Sequence, residues 1–434
     1  MSLPRRTYCS AGVLLTCLLL AACDQTAAAP ASHKPAVDPL PTINARLAFT
    51  CKHENIPQPS VESEVLFKYA RWLQKNNQLK EDVKVDAEIE RLYRIAAENG
   101  HYRANINLQN GAMRGHFHLS GAERLRMSRA LIDAGVASGY YFVAIYLQHG
   151  AAGLQQDDEM ALRYYRKAAD EGNAQAQAYV GDKLFKLSGT GDVVQQLRRC
   201  AAEQGDKSAA SALGVSLKGK GRFQEAVEAF QFGVMAGDET SAFALEKGFG
   251  GPLPGDTLYY LALEKDPERA RRYERIGEIL GKYSYAHPVV PEINDIVPLP
   301  PAPLPAWDGK LKWLEERKAN IPPAKPGESL IAELAKAKQL NPVTGKPLPS
   351  SPHFNKDDVA LLLCRSGESC PKSGYWQIAW IPHTGISQEE IRYFTEGETM
   401  PMDIVERLHP RPWPFSDKRV CEERAVEWRL VGEA

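Results

Sequence analysis

From about residue 60 to residue 247 the chain alternates apolar and polar positions with the three-to-four-residue period of amphipathic helices. The pattern is interrupted by glycines that keep a common register. They are Gly100, Gly135, Gly172, Gly205 and Gly237, at intervals of 35, 37, 33 and 32 residues. Four residues after each glycine stands a small residue (Ala104, Gly139, Ala176, Ala209, Ser241), and eight after it an aliphatic one (Leu108, Val143, Val180, Leu213, Leu245). A period of this length belongs to helical-hairpin solenoids. Each glycine is expected to end a helix in a left-handed cap, where a missing Cβ avoids strain. The small residue then lets the next helix approach its partner. Start signals agree: Ser120 with Glu123 three residues on predicts a capping box, and the acidic run Asp157-Asp158-Glu159 suits the positive end of a helix dipole.

Beyond the repeats the pattern changes twice. Asp266 to Lys282 predicts one more amphipathic helix, and Val289 to Pro305 an extended proline-rich strap, since prolines exclude helix and central strand. Helices are expected at Asp308 to Lys318 and near Glu328 to Leu340. From about Pro352 short alternating stretches take over, at Val359 to Cys364, Tyr375 to Ile381 and Val426 to Val431, separated by Gly, Pro and Ser turns. The expected fold is therefore mainly α: a solenoid of helical hairpins over 59–247, a helix and proline-rich connecting region over 248–350, and a small β-rich domain over 351–434.

The N-terminus carries a different signal. Arg5 and Arg6 precede an apolar run from Ala11 to Leu20 that ends in Leu20-Ala21-Ala22-Cys23. This is the layout of a signal peptide with a small-residue cleavage site, and the run falls short of the ~20 apolar residues that span a bilayer. The stretch resembles the bacterial lipobox, which implies cleavage before Cys23, a diacylglycerol on its sulfur, and a folded part on the periplasmic side of the envelope. In such lipoproteins an Asp after the cysteine, here Asp24, implies retention at the inner membrane. Residues 23–58, rich in Ala and Pro, are expected to form a lipidated tether.

Composition narrows the function classes. The formal net charge is −1, and loss of residues 1–22, with two arginines and no acid, takes it to −3. Such a balance leaves no electrostatic footprint for nucleic acid. Five cysteines follow Cys23: Cys51, Cys200, Cys364, Cys370 and Cys421. An oxidising compartment permits disulfides, an odd count leaves at least one cysteine unpaired or paired between chains, and the short Arg-Ser-Gly-Glu-Ser loop between Cys364 and Cys370 favours that pair as a hairpin disulfide. Neither has the neighbours of a four-ligand metal site.

The segment Asp158-Glu159-Met160-Ala161-Leu162-Arg163-Tyr164-Tyr165-Arg166-Lys167-Ala168-Ala169-Asp170-Glu171-Gly172-Asn173-Ala174-Gln175-Ala176-Gln177 resembles the SEL-type repeat of the tetratricopeptide superfamily. That resemblance covers roughly residues 60 to 247 and implies a right-handed superhelix whose concave face makes protein contacts. Pro267 to Trp307, with Tyr273-Glu274-Arg275-Ile276-Gly277 and Val297-Pro298-Leu299-Pro300-Pro301, resembles a domain of unassigned function found after such repeats in Gram-negative lipoproteins. The terminal Cys370-Pro371-Lys372-Ser373-Gly374-Tyr375-Trp376 and Glu396-Gly397-Glu398-Thr399-Met400-Pro401 resemble immunity proteins encoded beside type VI secretion effectors. The implied partner is a phospholipase-type toxin, and the alternative is a constitutive envelope scaffold that recruits partners through the same repeats.

Catalytic patterns are scarce. There is no G-x-S-x-G elbow, Walker loop or H-E-x-x-H, so the expectation is a binding protein with no cofactor and no metal rather than an enzyme. His116-Phe117-His118 could offer two metal ligands but lacks a third nearby, and Cys421 with His409 or His383 lacks any activating signature. Tight interfaces concentrate energy in Trp, Tyr and Arg, which makes Tyr375, Trp376, Trp380, Arg392, Tyr393 and Phe394 the candidate contacts in the β-rich domain. Tyr393 and Phe394 point to opposite faces of an extended chain, so one of them is expected to be exposed. Glu389, Glu390, Glu396 and Glu398 beside them could complement a basic mouth on a phospholipase.

Overall fold

The computed structural model describes residues 47–354, 363–378, 391–409 and 418–433. After α1 (Val61–Asn77) come five helical hairpins: α2 (Val83–Glu98) with α3 (Tyr102–Met113), α4 (Gly121–Asp133) with α5 (Ser138–His149), α6 (Asp158–Asp170) with α7 (Ala174–Phe185), α8 (Gly191–Glu203) with α9 (Lys207–Gly219), and α10 (Phe223–Met235) with α11 (Glu239–Phe249). The chain is a mainly α solenoid, as its periodicity predicts. All five register glycines lie in the hairpin turns with positive φ, from 74° at Gly135 to 111° at Gly172. The small residues behind them are buried, and so are four of the five aliphatic positions; Val143 is half-buried. At Gly139 a Cβ would stand 2.5 Å from the Ser128 carbonyl oxygen, so the helix contact there admits no side chain.

The residue after each turn glycine explains why the spacing of four recurs. His101, Asn173, Asp206 and Asp238 are N-caps whose side chains accept the backbone N–H of Ala104, Ala176, Ala209 and Ser241. The small residue is thus both the capped position and the contact point of its helix. At α4 the predicted capping box forms by half: Ser120 Oγ accepts from Glu123 N, but the Glu123 carboxylate turns to the buried Arg94 guanidinium instead. A buried cation attracts it more strongly than an exposed backbone N–H does.

The connecting region returns the chain to its beginning. Helix α12 (Pro267–Lys282) packs on α10 and α11 through Tyr273, Ile276 and Leu280. The strap lies over it, and its first part is not wholly extended: Ile293–Ile296 forms one helical turn, α13, that buries both isoleucines ahead of the proline run. Prolines donate no hydrogen bond, so strap carbonyls need donors from elsewhere. Arg269 donates to the Pro298 and Ala302 carbonyls, and Arg272 to those of Ile296 and Pro305 at 2.7 and 2.8 Å. The next helix, expected from Asp308, starts at Lys312 (α14, Lys312–Ala319). Its last cap, Asn320, exchanges hydrogen bonds with Asn76 on α1. Then α15 (Glu328–Ala337) buries Ile331 and Ala335 in the core of α1, α2 and α3, fastened by Arg91 to Glu328 at 2.6 Å.

The β-rich domain follows. Strands β1 (Leu363–Arg365), β2 (Gly374–Ile378), β3 (Ile391–Phe394) and β6 (Glu427–Glu433) form an antiparallel sheet in the order β1-β6-β2-β3, and β4 (Asp403–His409) pairs with β5 (Lys418–Arg424) as a separate ladder. Trp376, Phe394 and Trp428 form its apolar core, with Phe394 and Trp428 edge to face at 5.0 Å. The pairing expected between Cys364 and Cys370 is not formed. Both are buried free thiols in this core, with Cys364 directed at the Ser369 carbonyl and Cys370 at that of Lys372. The disulfide joins Cys51 to Cys200 instead, 149 residues apart.

Candidate partner-binding surface

Two features of the surface emerge from this path, and the first lies at the N-terminus. The last part of the expected tether is not free, because residues 49–56 lie along the row of hairpin turns. Phe49 is buried against Ala161 and Tyr165, and the Lys52 carbonyl accepts from Gln177 Nε2 at 2.9 Å. The Glu54 carboxylate accepts both the backbone N–H and the hydroxyl of Ser138. At Gly172 the reason for glycine is doubled: its φ of 111° is left-handed, and a Cβ would come within 2.6 Å of the His53 backbone. Cys51, His53 and Cys200 bring three possible metal-ligand atoms within 4.8 Å, but both sulfurs are spent in the disulfide.

The second feature is a cleft of about 1280 Å³ between the first helices of the solenoid, the connecting region and the sheet. The sheet is held against the solenoid by ionic contacts at one side of this cleft. His118 pairs with Glu427 of β6, while Arg365 of β1 donates to the His116 carbonyl at 3.3 Å and lies 3.1 Å from His118 Nδ1. Beneath them Arg94, fully buried, meets Glu90 and Glu123. Burial works against the charge on Glu90, yet its hydrogen bond with His118 and the Arg94 charge outweigh it and hold the carboxyl at about 2. Glu427 goes the other way, raised above the usual carboxylate value because burial dominates. The two imidazoles of the His116-Phe117-His118 motif therefore carry carboxylate partners, Asp86 for His116, and Phe117 is core.

The candidate residues of the β-rich domain divide by strand alternation. Tyr375 pairs with Tyr393 across β2 and β3, edge to face at 5.3 Å, each about half exposed. Their neighbours Trp376 and Phe394 point inward and are buried, as the alternation of an extended chain requires. Arg392 is tied to Asp403 at 2.9 Å and lies over the Trp428 ring, so it serves the domain's own packing. Glu398 is exposed but engaged within its own turn: its carboxylate accepts from the backbone N–H and hydroxyl of Thr395. Glu396 is exposed. Trp380, Glu389 and Glu390 lie outside the described residues, as do Cys23 and the segment before it.

Residues 241–348, from the last hairpin helix through the loop after α15, match a family model described as a domain of unknown function (DUF6396). No curated protein matches the chain. Its structural neighbours include immunity proteins and a Sel1-repeat protein. The chain is similar to the immunity protein Pa5087 from Pseudomonas aeruginosa, at 22% identity and TM-score 0.45, over 59% of this chain and 96% of that one. It is similar to Pseudomonas aeruginosa 5086 at 25% identity and TM-score 0.43, with 59% and 96% covered. A Sel1 repeat protein from Oxalobacter formigenes is 21% identical, with TM-score 0.33 over 51% and 88%.

The cleft was not legible in the sequence. Its lining comes from positions between 71 and 429 that only the return of the connecting region brings together. The one local hint was His116-Phe117-His118, whose two flanking imidazoles turn out to stand where solenoid and sheet meet.

Proposed function

We propose that this protein is a lipid-anchored immunity factor on the periplasmic side of the envelope that binds and neutralises a phospholipase-type toxin delivered by type VI secretion. The observation that carries the reading is the cleft. It is built by three parts of the chain at once, and an open cavity of mixed polar and apolar lining, where the connecting region and the sheet come back to the first helices, is suited to hold a protein segment. The resemblance of the terminal motifs to immunity proteins supports a toxin as the occupant, and two of the structural neighbours are themselves immunity proteins. The lipobox-like segment ending at Cys23 supports the compartment. Binding without turnover agrees with a sequence that has none of the common hydrolase motifs.

Competition tests this reading. A strain lacking the gene is grown against its isogenic parent armed with a phospholipase effector, with and without a plasmid copy. The expected result is loss of the deletion strain and rescue by the plasmid. Equal fitness would favour a constitutive envelope scaffold and overturn the immunity reading.

A further inference from the structure

The cleft has a charge that the chain as a whole does not have. Formal net charge is −1 over 434 residues, yet the cleft walls carry many cations and few free acids. Of the carboxylates that line it, Asp86 is engaged by His116 and Asn77, Glu123 by Arg94, and Glu427 by His118, which leaves Glu81. The cations are not spent in the same way. On α1, Arg71 bonds only neutral side chains such as Gln74, and Lys75 is exposed; Arg114 at the end of α3 is also exposed. Arg124 donates to the Leu119 carbonyl, Arg365 to that of His116, and Arg429 to Gln377. Lys346 reaches the cleft from the connecting region. None of these seven forms an ion pair among the described residues, and only Arg124 and Arg365 stand in the electrostatic reach of an acid, the buried Glu427.

His287 stands in the resulting field. It stands at the cleft wall with its backbone in the left-handed region. Its imidazole is lowered below the usual value first by partial burial and then by repulsion from Arg114, Lys207 and Arg71, with no acid opposing them. Next to it, Tyr285 and Trp313 supply an aromatic rim, and the Arg317 guanidinium lies about 5.5 Å from both rings.

We infer that the cleft is the docking site for an acidic segment of the partner protein, which enters between α1, α3 and the sheet and is anchored on the Tyr285–Trp313 rim. This rests on the reading of the protein as a toxin-binding factor and reverses the charge expected from the sequence, where acids of the β-rich domain were to meet a basic partner. Unneutralised cations in a walled cleft attract and orient a chain of opposite sign. At about 1280 Å³ the cavity exceeds the roughly 300–1,000 Å³ usual for small-molecule sites. Its cations also come from separate elements instead of converging on one point, as a single phosphate would require.

The test uses the purified full-length protein in an uncharged detergent, with fluorescein-labelled deca-glutamate and deca-lysine peptides followed by fluorescence anisotropy. Deca-glutamate is expected to bind, at least tenfold more weakly at 200 mM than at 50 mM salt, and deca-lysine not to bind. The variant Arg71→Glu with Lys75→Glu and Arg114→Glu should weaken deca-glutamate at least tenfold. Lys346→Glu with Arg429→Glu, from the connecting region and the sheet, provides a second variant should the first not fold. Equal affinity of a folded variant and the parent, or no binding of deca-glutamate, would overturn the inference. So would cleft-dependent binding of phosphatidylglycerol vesicles without peptide binding, which would make the ligand a lipid surface. The peptide assay contains no toxin, so its failure beside intact protection in the competition strains would remove the acidic-segment chemistry and leave the immunity reading standing.

Discussion

Glu54 caps helix α5 from 84 residues away, by accepting the backbone N–H of Ser138. Four of the five second helices in the hairpins carry their own side-chain cap, and α5, whose cap position is Ala137, does not. The N-terminal segment therefore supplies what this repeat lacks, and it belongs to the folded body. Glu54→Ala should cost about 1 kcal/mol, the usual value of an N-cap, and lower the melting temperature by about 2 °C or more. A melting curve superimposable on the parent's would show that the capping contact contributes nothing in solution.

The same segment is stapled by Cys51–Cys200. Closing a loop of 149 residues restricts the unfolded chain, and the chain-entropy relation puts the effect at up to about 5 kcal/mol. Cys51→Ser with Cys200→Ser, or treatment with a reductant, should lower the melting temperature by several degrees. Cys364→Ser should form no new disulfide and remove none. Peptide mapping of the non-reduced protein distinguishes the pairings: a Cys364–Cys370 linked fragment would contradict the structure.

The hairpin turns and the small residues behind them are local, within eight residues of each glycine, and were legible; the caps at His101, Asn173, Asp206 and Asp238 are equally local but went unread. Cys51 and Cys200 meet only because the N-terminal segment runs back along the turns, an arrangement no local pattern encodes. Cys364 and Cys370 looked like a closed loop, yet the core that surrounds them was invisible until β6, from the far end of the chain, lay between β1 and β2. Strands β3, β4 and β5 escaped the alternation rule as well. The opposite faces of Tyr393 and Phe394 could be read from an extended chain, whereas the cleft cations at 71, 114, 365 and 429 carry no common periodicity and became a site only in three dimensions.

Acid should loosen the junction between solenoid and sheet. Glu90 has a folded-state value of about 2, below the 4.5 of a free carboxyl, so its contribution is complete above pH 4.5 and is lost as pH falls from 4.5 towards 2. The shift corresponds to about 3 kcal/mol at most. Glu427, raised by burial, has the opposite sign: its contribution is present below 4.5 and fades as pH rises through its folded value. Melting temperatures measured from pH 6 to pH 3 should fall more steeply for the parent than for Glu90→Gln. Parallel curves would mean that Glu90 does not carry the acid limb.

Two glutamates of the terminal turn should respond differently to charge reversal. Glu398 holds the backbone of Thr395, so Glu398→Lys should cost about 1 kcal/mol of stability. Glu396, exposed as well, makes no such side-chain bond among the described residues, and Glu396→Lys should stay within about 0.5 kcal/mol of the parent. Denaturant melts of the two single variants decide this, and equal midpoints would contradict the assignment of the turn.

The measurement closest to the central claim is phospholipid hydrolysis by the purified effector, followed as fatty acid or headgroup release from vesicles while this protein is added in increasing amounts. Neutralisation by binding predicts that hydrolysis falls to background near an equimolar ratio and that the Arg71→Glu, Lys75→Glu, Arg114→Glu variant needs a large excess to do the same. Hydrolysis that continues undiminished at a tenfold excess of the folded protein would contradict the account.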